Sequence, residues 1–437
     1  MISFFKLSLK LQGFPIEKAI HDLRVIANFS SAEHQQFTAS RKEEIVNFHL
    51  QNNLFYKSLV GDLWDGSWET LPVLKKPDLQ KPLSERLSNG FSEKNVYVNK
   101  TSGSSGTPFI FAKDKYAHAL TWASNFYRFG WHGIDLDKAK QARFYGIPLD
   151  FIGYYKERLK DFLGNRYRFK VFDLSDYIFA GFIEKFKTEK FTYINGYTSS
   201  LVIFAKYLKE KDLILKTICP TLEVCMVTSE MLFKDDKLLL ETYFGILIIN
   251  EYGASELDLI AFENTNGEWQ INAETLFVEI LDENNKAVEH GKSGRVVITS
   301  LFNAAHPFIR YDIGDIGILD EKSTLQKPIL KQLIGRTNDF AVLPSGKKTP
   351  GLTFYYLTKS IIEDDGNVKE FVICQTKINC FVVDYVSEKE LNILQIKNIE
   401  KAIATYLEPD LDFVFNRRVC LERTNRGKLK QFTSEIS

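Results

Sequence analysis

The sequence has no net charge, Lys+Arg and Asp+Glu each numbering 56 among 437 residues. Without a basic or acidic surplus, neither nucleic acid nor an acidic membrane surface is expected as a partner, and only a local patch could recruit one. Cysteines are few, at positions 219, 225, 374, 380 and 420, an odd number with no C-x-x-C pair. That usage suggests neither a zinc knuckle nor a secreted disulfide framework, and a reducing cytoplasm is the expected location. Nowhere do ~18 apolar residues run together, so no transmembrane helix is expected. Lys6 and Lys10 interrupt the apolar stretch at the start of the chain, which therefore lacks the apolar core of a signal peptide. Internal repeats and low-complexity segments are missing as well.

Aromatic residues are abundant, with 35 Phe and 19 Tyr, and apolar residues reach 44% against 26% charged. This is the composition of a soluble globular enzyme with aromatic-rich cores or pockets. The length exceeds what one core fills, since cores stop growing near ~250–300 residues, so one large domain plus a smaller one is expected.

Apolar positions at helical spacing (Ile16, Ile20, Leu23, Ile26, then Ile45, Phe48, Leu54, Phe55) predict a helical opening, broken by Leu71-Pro72-Val73-Leu74. Over roughly 95–300, short apolar runs (141–147, 192–197, 222–227, 246–249) alternate with helical stretches (200–210, 234–244). That alternation predicts an α/β architecture with a mostly parallel sheet. Strands with turn signals between about 268 and 320 predict a small β subdomain. In the last hundred or so residues, strands at 371–374 and 380–383 and a helix over 388–406 predict a compact α+β module.

The segment Thr101-Ser102-Gly103-Ser104-Ser105-Gly106-Thr107-Pro108 follows a β-prone stretch and joins hydroxyls to glycines. Its glycines let backbone amides converge on an anion and its Ser and Thr side chains add donors, the chemistry of a phosphate-holding loop. It is not a Walker loop, because no Lys closes it. The bland alternative is a flexible turn.

At Glu251-Tyr252-Gly253-Ala254-Ser255-Glu256 a strand is expected to give way to a turn, where ligands of parallel sheets collect. There a Tyr can stack on a heterocycle, Gly253 can admit a base to the backbone, and Glu256 can ligate Mg²⁺. The alternative is an ordinary strand-to-helix turn. Arg310-Tyr311-Asp312-Ile313-Gly314-Asp315 reads as two acids around a glycine turn, with Asp315 suited to a ribose diol. Ile334-Gly335-Arg336-Thr337-Asn338-Asp339 offers an Arg beside an expected domain boundary, and Asn338 or Asp339 as a hinge. The basic segment containing Arg417, Arg418 and Arg423 ends in Arg426-Gly427-Lys428. It is either a solvated basic loop or a device that delivers Lys428 to a phosphate.

In this order and spacing the five motifs resemble the core motifs of the adenylate-forming (ANL) superfamily. Leu71-Pro72-Val73-Leu74-Lys75, Asn195-Gly196-Tyr197-Thr198-Ser199 and Thr299-Ser300-Leu301 resemble the branch of phenylacetate-CoA ligases, coenzyme F390 synthetases and CapK-type proteins. The resemblance runs from about residue 45 to the end of the chain. It implies a large N-terminal adenylation domain over 1–336, with a mostly parallel sheet and a small β subdomain, and a mobile α+β lid domain over 337–437.

The resemblance further implies an AMP-forming ligase that adenylates a small-molecule carboxylic acid with ATP and Mg²⁺ and passes the acyl group to CoA, an amine or a hydroxyl. Thr101, Ser102, Gly103, Ser104, Ser105, Gly106 and Thr107 would hold the β/γ phosphates. Ser229, Glu230, Asn250, Glu251, Tyr252 and Gly253 would line the adenine. Glu256 would hold Mg²⁺, Asp315 the ribose, Arg336 the ribose or phosphate, and Lys428 the reacting carboxylate and α-phosphate. The acid is expected among Tyr145, Gly146, Tyr193, Gly196, Tyr197 and Cys225, whose aromatic content favours an aryl or flat apolar acid. No dedicated CoA segment is recognisable, and a homodimer is one arrangement the resemblance implies.

The chain departs from many relatives at Ser255-Glu256 and at Asp312-Ile313-Gly314, where an extra acid falls near the ribose position. It also lacks the Cys and His set with which some relatives bind zinc, so no zinc is expected. Two other readings stay open: an F390-synthetase-like adenylyltransferase leaving AMP on a hydroxyl, and a non-catalytic nucleotide-binding relative. Cys219 and Cys225 are either thioester relays or buried structural thiols.

Overall fold

The computed structural model describes residues 4–61, 64–101, 109–146, 151–171, 175–336, 340–350, 368–406, 408–423 and 429–436. Four helices open the chain: α1 Phe4–Leu11, α2 Ile16–Ala27, α3 Ser31–Asn52 and α4 Leu54–Val60. The start of α3 is set by sequence, since Ser30 accepts from the Glu33 N–H at 3.3 Å while Glu33 takes the Ser30 N–H at 2.7 Å, a reciprocal cap. After β1 Leu74–Lys75 and α5 Leu83–Arg86 comes an antiparallel hairpin, β2 Tyr97–Lys100 and β3 Ile110–Lys113, and then α6 Lys115–Gly130. Asp114 caps α6 by accepting from Tyr116 and Ala117.

Strand and helix then alternate: β4 Gln141–Phe144, α7 Phe151–Leu163, β5 Arg166–Phe169, α8 Asp176–Thr188, β6 Tyr193–Tyr197, α9 Thr198–Glu210, α10 Leu215–Ile218, β7 Val224–Thr228, α11 Lys234–Phe244 and β8 Leu247–Ala254. With β9 Asp258–Glu263 and β10 Trp269–Ile271 these strands form one seven-stranded sheet in the order β10-β9-β8-β7-β6-β4-β5. The pairs from β8 to β5 are parallel, and β9 and β10 add an antiparallel edge. The expected α/β class with a substantially parallel sheet is therefore what the chain adopts.

One face of this sheet carries the aromatic core that the composition foretold. Phe144 and Phe169 stack at 4.7 Å, and Phe179, Phe182, Phe186 and Phe204 from α8 and α9 close over them. Because side chains alternate along a strand, Ala142, Phe144, Ile194, Cys225, Val227 and Ile248 face this core. Gln141, Arg143, Tyr193, Asn195, Met226 and Thr228 consequently occupy the other face.

A second, five-stranded sheet contains β11 Leu276–Leu281, β12 Ser293–Ser300, β13 Tyr311–Leu319 and β14 Leu330–Arg336, with β1 joining in parallel to Tyr311 and Asp312. The expected β subdomain thus starts later than residue 268, since β10 belongs to the large sheet, and it recruits a strand from far upstream. Arg310 fastens that upstream segment, donating to the carbonyls of Glu69 at 2.7 Å and Leu71 at 2.9 Å.

Beyond lie β15 Phe340–Val342 and β16 Lys348–Pro350, and a sheet of β17 Val368–Lys377, β18 Cys380–Ser387, β19 Asp412–Arg418 and β20 Phe432–Ser434 backed by α12 Ile393–Tyr406. This part has its own core around Phe371, Ile373, Phe381, Val383, Ile399 and Phe432. The helix expected from 388 begins at Ile393, and Arg417 and Arg418 end a strand paired with β18 rather than lying in a solvated loop. Among the described residues no helix is long and apolar enough to cross a membrane.

Candidate active site

Strand β8 is longer than its parallel neighbour. The β7–β8 ladder ends at Thr228 opposite Glu251, and Tyr252, Gly253 and Ala254 run on with only β9 beside them. The expected end of the strand before Glu251 is corrected, and so is the alternative of a helix after it. The strand continues through Ala254 and doubles back as β9, because Gly253 lets the two backbones close; a Cβ there would lie 2.7 Å from the Asp258 carbonyl oxygen. The overhang still lies outside the carboxyl ends of the parallel strands, where ligands of such sheets sit.

Two tyrosine–carboxylate pairs converge here. Tyr252 donates its hydroxyl to Asp315 Oδ2 at 2.6 Å, and Tyr311 donates to Glu256 Oε1 at 3.2 Å. Tyr311 and Asp315 both come from β13, and the expected glycine turn between them is corrected. It is a bulge within one long strand, with Gly314 at φ +83° and its N–H held by Asp312 Oδ1 at 2.9 Å. A bulge re-aims the side chains around it, which turns Asp315 toward Tyr252. Asp312 is not a free extra acid, since Arg295 pairs with it at 2.8 Å. Asp315 also stands opposite Arg336 in the β13–β14 ladder, so these two candidates face each other across adjacent strands.

The glycine-rich loop is the tip of the β2–β3 hairpin, and residues 102–108, including Ser104, lie outside the described residues. Its base is described. Thr101 N–H bonds the Phe109 carbonyl at 2.9 Å, and the Phe109 N–H returns to Thr101 Oγ1 at 3.0 Å. The Phe109 ring lies 6.5 Å from Tyr311, so the loop's root packs against the residue that contacts Glu256. Glu256 is 8% exposed and forms no ion pair among the described residues. It presents a single carboxylate, the donor type that Mg²⁺ takes, with one oxygen already engaged by Tyr311.

At the end of β7, Ser229 holds a left-handed conformation at φ +71°, uncommon for a residue with a Cβ. The next residue, Glu230, uses both carboxylate oxygens, accepting the Ser199 N–H at 2.7 Å and the Leu429 N–H at 2.9 Å. Lys428 lies outside the described residues, yet the residue after it is docked on Glu230. Arg423, expected in the basic segment, is held at the same junction by an ion pair with Glu370 and a 3.4 Å bond to Ser199 Oγ. Burial pushes the Glu370 carboxyl up, and Arg423 opposes that shift.

The residues proposed for the acid divide between the two faces of the sheet. Tyr145 donates to Asn195 Oδ1 at 2.9 Å and packs against Tyr197 with ring centroids 4.6 Å apart, and the Gly146 carbonyl accepts from Arg168 at 2.9 Å. Tyr193 sits further down the same face against Phe129. Gly196 and Cys225 belong to the opposite face. A Cβ on Gly196 would meet Phe144 Cβ at 2.4 Å, and Cys225 is fully buried with its thiol pKa raised by desolvation. Strand alternation was the signal that separates them. Cys219 is also buried, so neither thiol is exposed for a relay.

Sequence reasoning named Glu251 without foreseeing its burial and did not single out Arg143. Glu251 accepts from Thr228 Oγ1 at 3.0 Å, and burial pushes its carboxyl up while Arg143 pulls it down. The Asn250 N–H is taken by Glu263 at 3.0 Å. Among the described residues no group of three or more His, Cys, Asp or Glu side chains is placed to hold a metal ion.

The fold is that of adenylate-forming ligases. No protein-family model matches the chain, but 2-hydroxyisobutyryl-CoA ligase in its postadenylation state superposes with a TM-score of 0.71 at 15% identity, covering 93% of this chain and 91% of that one. The same ligase in its thioesterification state gives 0.58 at 16% identity, over 93% and 90% of the two chains. The amide bond synthetase McbA from Marinactinospora thermotolerans gives 0.54 at 14% identity, covering 77% of this chain and 69% of that one. In sequence, the chain is similar to protein CapK of Staphylococcus aureus, 26% identical over 323 residues, which is 69% of this chain and 67% of that protein. The resemblance read from the motifs therefore extends to the fold of nearly the whole chain.

Proposed function

We propose that this chain is an ATP-dependent, AMP-forming ligase that adenylates a carboxylic acid and transfers the acyl group to CoA, an amine or a hydroxyl. One observation carries the reading: Tyr252–Asp315 and Tyr311–Glu256 meet at the carboxyl ends of the parallel strands, beside the root of the glycine-rich loop. The domain division that goes with it is an adenylation domain over 1–336 and a lid over 337–437.

In the first half-reaction a carboxylate attacks the α-phosphorus of ATP, so two anions must meet. No general base is needed, because the carboxylate is already ionised at neutral pH. Asp315 accepts the ribose hydroxyls and orients the nucleotide, and the amides and hydroxyls of the loop from Thr101 to Thr107 take the outer phosphates. Glu256 is the residue that would hold Mg²⁺, which when bound neutralises phosphate charge. Lys428 supplies the cation for the attacking carboxylate and the α-phosphate, and removing such a preorganised group costs ~10²–10³ in rate. The docking of Leu429 on Glu230 and the higher overlap with a postadenylation structure support a lid seated as it is once the adenylate has formed and before acyl transfer.

The test is pyrophosphate release from Mg-ATP over a panel of aryl, fatty, amino and uronic acids, for the natural chain and for Lys428→Ala. Release that depends on one acid class and falls ~10²–10³-fold in the variant supports the ligase. AMP retained on a hydroxyl acceptor, with no acid requirement, would replace the reading with adenylyl transfer.

A further inference from the structure

We infer that the acid carries a second anionic group at its far end, a carboxylate, sulfonate or phosphate, and that Arg143 receives it. The inference rests on the ligase reading for where the acid lies and concerns which acid it is.

Arg143 is flanked in register by Arg168 of β5 and Asn195 of β6, on the face opposite the aromatic core. Three arginines crowd this edge of the sheet, and two of them have their own carboxylates. Arg166 bonds Asp161 at 2.6 Å, and Arg168 bonds Asp161 at 2.9 Å and Glu157 at 2.7 Å. Arg143 has no such partner. Among the described residues it makes no hydrogen bond or ion pair, and its Nε is enclosed with no acceptor. Its contact is the face of Tyr145, 4.2 Å from the ring centroid.

A guanidinium stays charged in proteins, so leaving one half-buried without an anion costs free energy that the free protein does not recover. Glu251 acts on Arg143 only at a distance, since Arg143 pulls its carboxyl down but no ion pair forms between them. Its carboxyl is pushed up by burial and is engaged by Thr228, and it lies three strands away in the ladder Arg143–Asn195–Met226–Ile249 and one row further along. The neighbouring row toward the strand ends is Tyr145, Tyr197, Thr228 and Glu251. The row of Arg143 is separated from the overhang of β8 by about three inter-strand spacings of ~4.8 Å. A short acid chain spans that gap with its reacting carboxylate toward Tyr252 and its second anion on the planar fork of Arg143, a geometry suited to bidentate pairing.

On this reading one of the aromatic residues assigned to the acid has a different task. The hydroxyl of Tyr145 is spent on Asn195 and one face of its ring on Arg143, so the ring serves as the backing of a cation site.

The experiment uses the full chain with Mg-ATP and acids matched in length: hexanoate against adipate, butyrate against succinate, benzoate against 4-carboxybenzoate. Pyrophosphate release is read for the natural chain, Arg143→Leu and Arg143→Lys. Binding of the same acids in the presence of a non-hydrolysable ATP analogue is read by calorimetry. The expected result is a preference for the dianionic member of at least tenfold in kcat/KM. In Arg143→Leu that preference collapses ~10²-fold, mostly through KM, and Arg143→Lys restores part of it. The melting temperature of Arg143→Leu is expected to be equal or higher, since an uncompensated charge has been removed. A natural chain that prefers monoacids overturns the inference. So does an Arg143→Leu variant that loses all acids equally or melts markedly lower, because Arg143 would then be structural. Arg143-dependent binding of diacids without pyrophosphate release would sustain the inference and sink the ligase reading instead. Absence of any diacid binding overturns the inference whatever the turnover.

Discussion

Glu230 and Leu429, 199 positions apart in sequence, are joined by a 2.9 Å bond from the Leu429 N–H to a carboxylate whose other oxygen holds the Ser199 N–H at 2.7 Å. One side chain thus ties the start of α9 to the segment immediately after Lys428. A hydrogen bond to a charged group contributes about 1.5–3 kcal/mol. Glu230→Ala is therefore expected to lower the docked fraction of the lid and to slow single-turnover adenylation by ~10- to 100-fold. Glu230→Gln, which keeps one acceptor oxygen, should lose less. Rapid-quench measurement of acyl-adenylate formation separates the three forms, and an unchanged rate in the alanine variant would sink the idea.

Asp315 is fixed by Tyr252 at 2.6 Å on one oxygen. If its carboxylate receives the ribose diol, Asp315→Ala raises the KM for ATP by ~10-fold or more. The same variant should no longer distinguish ATP from its 2′,3′-dideoxy analogue, which the natural chain should use poorly. Competition kinetics with the two nucleotides checks both halves of the expectation.

Gly196 carries a stability prediction rather than a functional one. A Cβ there would lie 2.4 Å from Phe144 Cβ and 2.9 Å from its carbonyl oxygen, and backbone cannot swing aside as a long side chain can. Gly196→Ala is expected to destabilise the chain by about 1–3 kcal/mol. Urea denaturation gives the difference directly, and a neutral result would mean that β4 and β6 move apart at little cost.

His49 gives a pH prediction with a definite sign. Its ring is buried between Ser88 Oγ at 3.1 Å and the Asn303 carbonyl at 3.0 Å, and desolvation lowers its pKa to about 4. Between the unfolded value near ~6.5 and about 4, the unfolded chain binds a proton that the native chain does not, so stability is lost as pH falls through that window. In His49→Gln the slope of unfolding free energy against pH should fall by about one proton over the same range, whatever the variant's absolute stability. Denaturation series at several pH values provide the slope.

Much of the fold was legible because its signals are local. The bounds of α11, 234–244, are those read from periodicity, closed by Gly245 in the left-handed region. Strands β4, β6 and β7 were visible as the apolar runs 141–147, 192–197 and 222–227 between helices. The failures are of another kind. Gly253 and Gly314 were read as turns, yet each serves a strand, one by letting β9 approach and the other by seating a bulge. A glycine announces an unusual backbone requirement without saying whether a turn or a close neighbour makes it. The division of Tyr193 from Gly196 and Cys225 follows from strand parity and could have been drawn from the sequence once the strand was placed. Arg143 could not, because its significance is the lack of a partner while Arg166 and Arg168 have theirs, and only three-dimensional neighbours reveal that.

The rung that sets Asp315 opposite Arg336 is the final one of the β13–β14 ladder, and β14 ends there. On the proposed reading, rotation of the C-terminal part would pivot beside the residues assigned to the sugar. In that arrangement the nucleotide would be held close to the pivot, and exchanging one proposed half-reaction for the next would not require loosening that hold.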